Sequence, residues 1–282
     1  MTGTLKTRIT FANPTRSDIP NLKKLWIQVF GDESAAVDLF FEKIFSADEC
    51  FCARLGGEIA AMLFLIPCEV CNKKAHYVYA ACTAPGYRKN GVMGKLLQFA
   101  LQSAEKKGDS FSVLLPANEK LYDYYGKFGY LSAAKICRKY VAFGEKTPLP
   151  KKASAGLTVN YSVDFRKKAF KNINYVAFGQ NVLDFAMAVN EIYFGKNVCC
   201  EYGCALVSAQ RNSCREITEI ASDNGDFKDL MQVIKRECPA DEYILRMPVN
   251  SADGENCEKF GMIKPLDGSE VPQNLYIGIT LD

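Results

Sequence analysis

A loop rich in basic and glycine residues joins a strand-like run to a helix-like run in "ACTAPGYRKNGVMGKLLQFAL" (81–101). Arg88 and Lys89 bring positive charge to this loop, and Gly91 and Gly94 leave space for a ligand beside the backbone. The first N–H groups of a helix have no partner within it, and the helix dipole adds about half a positive charge there. The pattern therefore predicts a cradle for a phosphate or pyrophosphate group.

An alternative interpretation is that the glycines of this loop only allow the helix to pack closely. Two common nucleotide-binding patterns, G-x-x-x-x-G-K-[ST] and G-x-G-x-x-G, are absent. Their absence disfavours a nucleoside triphosphate or a dinucleotide as the ligand. On the loop alone, the phosphate cradle and the packing interpretation have equal weight.

The elements that must position the loop follow the order βααβββαβαβ over about residues 7–145, as judged from the periodicity of apolar residues. The last helix of this series is "NEKLYDYYGKFG", with Asn118 near its cap. The order predicts an α/β (α+β) fold, in which helices flank a mixed, mostly antiparallel sheet.

A Pro- and Lys-rich stretch, "EKTPLPKKASAG", interrupts this pattern and predicts a linker at 148–155 between domains at 1–147 and 156–282. Beyond the linker the pattern partly repeats, from an expected strand at 157–163 to an expected closing strand at 275–282.

Two short segments of the first half have similar or equivalent segments in the second half, which supports an internal duplication. "KFGYLSAA" (127–134) returns as "KFGMIKPL" (259–266). "EITEIASDNGDFKDLM" (216–231) stands where "VYAACTAPGYRKNGVMGKLL" (78–97) stands in the first half, and the glycine-rich basic loop is missing from it. The sequence therefore predicts a duplicated fold whose second copy is degenerate.

Charge is distributed unevenly along the chain. Residues 1–150 carry 20 Lys and Arg against 14 Asp and Glu, whereas residues 151–282 carry 15 against 18. An anionic ligand is therefore expected in the first half, and the net charge of +3 does not indicate nucleic acid. No apolar run reaches the roughly 18 residues of a membrane span, and the start lacks the apolar core of a signal peptide, which predicts a soluble cytoplasmic protein without a membrane partner.

The twelve cysteines raise the question of a metal site. Cys68 and Cys71 form a single C-x-x-C in a strand-like run, and His76 is the one histidine of the chain. A zinc site needs a second pair of ligands at suitable spacing, so we expect no metal. Reduced, mostly buried thiols are the expectation instead.

In the loop and the start of the following helix, the chain resembles the GNAT family of acyl-CoA-dependent N-acyltransferases. At the start of a long helix, that family has an Arg or Gln, then a Gly three places further on, and then a Gly or Ala two places after that Gly. Arg88, Gly91 and Met93 occupy those positions, with Met93 departing from the pattern and Gly94 one place late.

The second GNAT signature starts at an Asn, with an apolar residue three places on and a Tyr seven places on. A Gly and an aromatic residue follow at eleven and twelve. These positions are filled here by Asn118, Leu121, Tyr125, Gly129 and Tyr130. The resemblance covers about residues 7–145 and is closer to tandem-GNAT proteins similar to the enhanced-intracellular-survival (Eis) acetyltransferases. Those add a third, sterol-carrier-like domain, for which this chain has no room.

The resemblance implies acetyl-CoA (CoA) as the cofactor and assigns roles to individual residues. The backbone of a strand end would pair with the pantetheine arm, and the loop and the start of the helix would hold the pyrophosphate. Asn118 would both cap its helix and touch the cofactor, and Tyr125 would be the general acid. The strand-end residues are Ala81, Cys82 and Thr83, and the loop residues are Arg88, Lys89, Asn90, Gly91, Val92, Met93 and Gly94.

The attacking amine must first lose a proton, because a primary amine near pKa 10.4 is mostly charged at neutral pH. No carboxylate lies on the expected strand "AHYVYAACT" to accept it. His76 and Glu69 are weaker candidates, and the resemblance adds the carboxylate at the chain's own end, at Asp282.

The leading hypothesis is an acyl-CoA-dependent N-acetyltransferase that acts on a primary amine of a small molecule or a peptide. A non-catalytic acyl-CoA-binding sensor and a tRNA-dependent aminoacyl transferase are the alternatives. The second fits less well, since the intact loop lies in the first half and no basic helical arm follows. Whether the protein is a monomer or a dimer is left open.

Overall fold

The computed structural model describes residues 8–142, 160–249 and 257–281. The expected linker at 148–155 lies outside them. The chain divides into two compact units, of which unit 1 contains Met1–Cys68, Lys73–Tyr130 and Lys264–Glu270, and unit 2 contains the rest. Within the described residues, no helix combines the length and the apolarity needed to cross a bilayer.

Unit 1 is a sheet with four helices. Its strands lie in the order β1-β2-β3-β4-β5-β13, with β1, β2 and β3 antiparallel and β4 and β5 parallel. The strands are β1 (Ile9–Ala12), β2 (Cys50–Leu55), β3 (Glu58–Val70), β4 (Lys73–Thr83), β5 (Phe111–Leu114) and β13 (Met262–Pro265). The helices are α1 (Ile19–Phe30), α2 (Ser34–Lys43), α3 (Val92–Lys106) and α4 (Glu119–Gly126).

An aromatic cluster fixes α1 and α2 against this sheet. The buried ring of Trp26 lies 4.8 Å from Phe40, 5.7 Å from Phe64 on β3 and 5.4 Å from Tyr79 on β4, measured between ring centroids. Each large ring buries on the order of 150–250 Å² and so contributes strongly to the core. The cluster therefore anchors the carboxyl half of β4, where the loop begins.

Unit 2 is built on a six-stranded sheet in the order β12-β6-β11-β10-β9-β8. Strands β10 and β11 are parallel and are joined through α7, which is the same strand–helix–strand arrangement as β4, α3 and β5. The elements are β6 (Lys135–Ala142), α5 (Val163–Ala169), β7 (Val176–Phe178), α6 (Gln180–Ile192), β8 (Lys196–Cys200), β9 (Gly203–Val207), β10 (Cys214–Ala221), α7 (Lys228–Glu237), β11 (Glu242–Met247) and β12 (Cys257–Lys259). Two mixed sheets flanked by helices confirm the expected fold class.

The residues that follow the two repeated segments belong to different units. Strand β6 follows "KFGYLSAA" and pairs with β11 and β12 in unit 2, whereas residues 264–270, which follow "KFGMI", belong to unit 1. Leu131 and Ile263, equivalent positions of the repeat, bond each other through N–H to carbonyl contacts of 2.8 and 2.9 Å. The two compact units therefore do not coincide with the expected domains at 1–147 and 156–282. The division into two copies at those residues remains a prediction.

Two expected strands do not form in the described residues. Residues 160–162 of the strand expected at 157–163 are irregular and lead directly into α5, where Ser162 caps the helix by accepting a bond from the Phe165 N–H. The closing strand expected at 275–282 is reduced to single bridges at Leu275 and Tyr276. Strands β7, β12 and β13, of three or four residues each, were not predicted.

The expectation of reduced thiols is wrong for one pair, since Cys137 and Cys257 form a disulfide. The two residues lie directly opposite each other in the antiparallel pair β6–β12, with Cα atoms 4.0 Å apart. This pairing joins positions 120 residues apart and could not be read from spacing. The other ten cysteines are not disulfide-bonded.

Candidate active site

Strand β4 continues well beyond its pairing with β5 before the loop begins. The two strands pair only from Ala75 to Tyr77, opposite Phe111 to Val113, whereas β4 continues to Thr83. Ala80 has a φ of +46°, a value that disfavours regular strand pairing for a non-glycine residue. The strand end Ala81–Thr83, predicted to hold the pantetheine arm, therefore lies beyond the paired part of β4 and β5.

The loop after β4 turns sharply into α3. Lys89 and Gly91 both have positive φ, at +63° and +70°, and Gly91 is the N-cap of α3. A left-handed Lys costs about 1–3 kcal/mol, a type of strain that is concentrated at functional sites. Arg88 donates from Nε to the Thr83 carbonyl at 3.0 Å, which fastens the loop to the end of β4.

The start of α3 has the features expected of an anion cradle. No side chain among the described residues caps the helix, so its first N–H groups are left without a capping partner there. Arg88, Lys89, Asn90 and Gly91 are all exposed, and a Cβ added at Gly91 would meet no atom within 4 Å. Val92 is buried and Met93 is half-buried, so these two residues would contribute to a ligand site here through their backbone N–H groups.

Gly94 has a packing role, while its contact with a cofactor remains a prediction. A Cβ at this position would lie 2.7 Å from Phe128 Cζ and 3.4 Å from the Tyr124 hydroxyl oxygen. The residue is buried, and its missing side chain allows α3 to approach the helix α4 and the turn after it. The packing interpretation therefore applies to Gly94, whereas Gly91 is needed for the left-handed turn.

Tyr125 projects from α4 into an aromatic group. Its ring centroid lies 5.2 Å from that of Tyr124 and 5.8 Å from that of Tyr130, and 9% of the residue is exposed. In the described residues the hydroxyl shows no hydrogen-bond partner, whereas the Tyr130 hydroxyl lies 2.6 Å from Ser112 Oγ. Burial, followed by the nearby Tyr124, raises the pKa of Tyr125 above its usual value, so the phenol keeps its proton at neutral pH.

Asn118 is the N-cap of α4, as the sequence predicted. Its Oδ1 accepts a hydrogen bond from the Leu121 N–H at 3.3 Å. An Asn cap contributes about 1 kcal/mol relative to Ala. The cap also fixes the start of the short helix that carries Tyr125, while contact of Asn118 with a cofactor remains a prediction.

His76 belongs to a buried polar pair that sequence reasoning did not find. Its Nδ1 lies 2.7 Å from Asp109 Oδ2, and Lys74 Nζ lies 3.0 Å from Asp109 Oδ1. Burial alone would raise the pKa of Asp109, but hydrogen bonds from His76 and Lys74 outweigh it and hold that pKa below its usual value. His76 is 1% exposed and its Nε2 has no partner among the described residues, so the ring is enclosed rather than open to an amine.

Two carboxylates, those of Glu69 and Asp282, were also considered as the base. Glu69 is exposed beside the Cys71–Asn72 turn, at the opposite end of β4 from the loop. Ten residues of strand separate that turn from Thr83, or roughly 33 Å at about 3.3 Å per residue, which is too far for proton transfer. Asp282, whose carboxylate was the third candidate, lies outside the described residues.

The second crossover, β10-α7-β11, carries a different loop. Asp226 Oδ1 accepts a hydrogen bond from the Lys228 N–H at 2.9 Å, at the first residue of α7. Asn224 Oδ1 in turn accepts bonds from the Asp226 N–H and the Ser222 hydroxyl. A carboxylate therefore already occupies the place where the cradle of α3 offers open N–H groups.

The loop after β4 thus leads into an uncapped start of α3, within an α/β fold. Residues 10–133 match the family described as acetyltransferase (GNAT) domain, a span that includes the loop, α3 and Tyr125. This part of the chain is therefore similar to a GNAT acetyltransferase domain, and this confirms the resemblance seen in the sequence. No curated protein matches the chain significantly.

Solved structures share the fold over nearly the whole chain. A GCN5-related N-acetyltransferase from Anabaena variabilis aligns with a TM-score of 0.69 at 14% identity, over 92% of this chain and 73% of that chain. Eis1 from Mycobacterium abscessus aligns with a TM-score of 0.66 at 13% identity, over 93% and 74%. A Pyrococcus horikoshii protein aligns with a TM-score of 0.59 at 16% identity, over 100% and 95%. At these identities the likeness shows the fold alone.

Proposed function

We propose that this protein is an acyl-CoA-dependent N-acetyltransferase that acts on a primary amine of a small molecule or a peptide. The observation that carries the proposal is the uncapped start of α3, which directly follows the exposed Arg88 and Lys89 in the loop after β4. Its position inside the matched acetyltransferase domain supports the same assignment.

The residues present suit the phosphate end of acyl-CoA. Backbone N–H groups at Val92 and Met93 act with the charges of Arg88 and Lys89 to hold the pyrophosphate. Gly91 leaves the approach open, since a Cβ there would meet no atom within 4 Å. The backbone of Ala81–Thr83, beyond the paired part of β4, pairs with the amide groups of the pantetheine arm.

Bound acyl-CoA supplies a thioester carbonyl for attack and a thiolate as the leaving group. The amine attacks this carbonyl directly while both substrates are bound. Tyr125 donates the proton of its hydroxyl to the departing sulfur, since this hydroxyl shows no partner among the described residues and stays protonated at neutral pH. His76 is not favoured as the base, because it is enclosed in its pair with Asp109.

The loop assignment predicts a charge-dependent effect of cofactor on stability. CoA and acetyl-CoA should raise the melting temperature, as any ligand of the native state does. Arg88→Glu should remove most of that rise, because it places a negative charge beside the pyrophosphate. Thermal denaturation with and without CoA measures this.

A matched control makes the same charge change elsewhere. Arg211 is an exposed arginine of unit 2, and Arg211→Glu should leave the rise intact. An equal rise in Arg88→Glu would show that the loop does not bind the phosphates. A larger rise with ATP or NADH than with CoA would point to another class of cofactor.

The second crossover predicts a stoichiometry of one CoA per chain. Asp226 already bonds the start of α7, and Asp223 and Asp229 add negative charge there, so a phosphate would be repelled. Isothermal titration or native mass spectrometry at saturating CoA gives the count directly. Two CoA molecules bound per chain would contradict this reading of unit 2.

The enzymatic assignment itself is tested by thioester consumption with a panel of primary amines, including polyamines, aminoglycosides and peptides with free amino groups. Turnover of acetyl-CoA that depends on an amine supports the proposal. Binding of CoA without turnover of any amine would instead favour an acyl-CoA-binding sensor. Such a protein binds the cofactor but does not catalyse acyl transfer.

A further inference from the structure

The sheet of unit 2 has a directly opposed pair of cysteines in each of its outermost strand pairs. In β12–β6, Cys257 lies opposite Cys137, and these two are joined in a disulfide. In β8–β9, Cys199 lies opposite Cys204 in the hairpin closed by Glu201 and Tyr202, and both are reduced. The second pair has the same local arrangement as the first without the bond.

The hairpin pair has the geometry that a disulfide requires. Directly opposed residues of an antiparallel pair have Cα atoms about 4.5–5.5 Å apart, within the span of about 4.4–6.8 Å that disulfides bridge. Their side chains point to the same face of the sheet. The two thiols are already hydrogen-bonded to each other.

The two thiols differ in access and in acidity. Cys199 is partly exposed, whereas Cys204 is buried. The hydrogen bond from the Cys204 thiol, helped by a backbone bond at Tyr161, outweighs burial and lowers the pKa of Cys199, and the same thiol–thiol bond raises the pKa of Cys204. The accessible sulfur is therefore the one that forms a thiolate, which is the reactive species.

The adjacent Cys200 is not part of this arrangement. Successive side chains of a strand point to opposite faces, so Cys200 faces away from the pair. It lies opposite Gly203, which offers no thiol. Cys200 therefore serves as an internal control for thiol accessibility in the same segment.

We propose that Cys199 and Cys204 form an oxidisable dithiol site that reacts with small disulfides such as glutathione disulfide and closes into a disulfide fastening β8 to β9. The Cys199 thiolate attacks one sulfur of the small disulfide, forms a mixed disulfide and releases one thiolate. Cys204 then gives up its proton and attacks the Cys199 sulfur, releasing the second. Overall, two protein thiols are oxidised to one disulfide, and the small disulfide is reduced to two thiols that carry the two protons.

The test is oxidation of the folded full chain with glutathione disulfide, followed by blocking of remaining thiols with iodoacetamide and mass analysis of the tryptic peptide 197–211. We expect this peptide to lose two hydrogens and to carry one block, on Cys200. Cys200→Ser should still lose two hydrogens. Cys204→Ala should instead accumulate the mixed disulfide, with one glutathione on Cys199.

Three blocked cysteines in the wild-type peptide after oxidation would overturn the proposal, as would a disulfide that persists in Cys199→Ser. The wild type and Cys200→Ser decide the matter even if Cys204→Ala, which changes a buried residue, does not fold. Amide hydrogen exchange gives an independent readout. Exchange in β8 should slow after oxidation in the wild type and stay unchanged in Cys199→Ser.

Discussion

Tyr125→Phe is expected to lower the rate of acyl transfer by about 10²–10⁴-fold, the usual contribution of a positioned general acid. The substitution removes one hydroxyl that has no partner among the described residues, and a phenyl ring fits the same aromatic group. Folding and cofactor binding should therefore survive, because the proposed phosphate and pantetheine contacts lie on other elements. The measurement is thioester consumption with a reactive amine at matched cofactor saturation.

Tyr122→Phe and Tyr124→Phe are the matched controls on the same helix. Around the helix axis, Tyr124 is offset from Tyr125 by about 100° and Tyr122 by about 60°, so neither hydroxyl shares the direction of Tyr125. Tyr124 also lies against Gly94, on the side that faces α3. Both variants should retain most of the activity. Near-native turnover by Tyr125→Phe would make Tyr125 a packing residue and leave water or another group as the acid.

Glu219→Gln is expected to destabilise the fold by about 3–5 kcal/mol, the cost of removing one partner of a buried ion pair. Arg166 and Glu219 are each 1% exposed and form a two-point contact, from Nε to Oε1 at 2.8 Å and from Nη2 to Oε2 at 2.9 Å. Tyr161 donates its hydroxyl to the same carboxylate. A glutamine would leave the Arg166 charge buried without an opposite charge. Urea denaturation followed by circular dichroism measures the loss.

Glu258→Gln is the control for this second experiment. Glu258 pairs with Arg138 at 2.6 Å, but its side chain is 48% exposed, and such a pair contributes about 0–1 kcal/mol. A double variant, Arg166→Met with Glu219→Leu, should recover part of the loss because no charge is then left buried. A cost for Glu219→Gln as small as that for Glu258→Gln would mean that water reaches the pair.

Short-range patterns were enough to place the elements around the site. The apolar run "EIAAMLFLIPCEV" predicts a strand, and β3 forms over the same residues, Glu58–Val70. The run "GVMGKLLQFALQSAEKKG" predicts a long amphipathic helix, and α3 forms within it over Val92–Lys106. These features depend on residues within one or two turns or one hairpin, so the apolar period and the turn residues specify them. The roles assigned to Arg88 and Tyr125 rest on the same local spacing and remain predictions until binding and turnover are measured.

The sequence by itself determined the acyltransferase-like loop, the order of elements around it and the duplication. Only the tertiary structure decided that β6 joins the second sheet, that Cys137 meets Cys257, that Arg166 pairs with Glu219, and that Gly94 makes room for Phe128. Each of these joins residues at least 34 positions apart. A local pattern records which face of a strand or helix is apolar, but it does not record which distant partner covers that face, because many partners would bury it equally well.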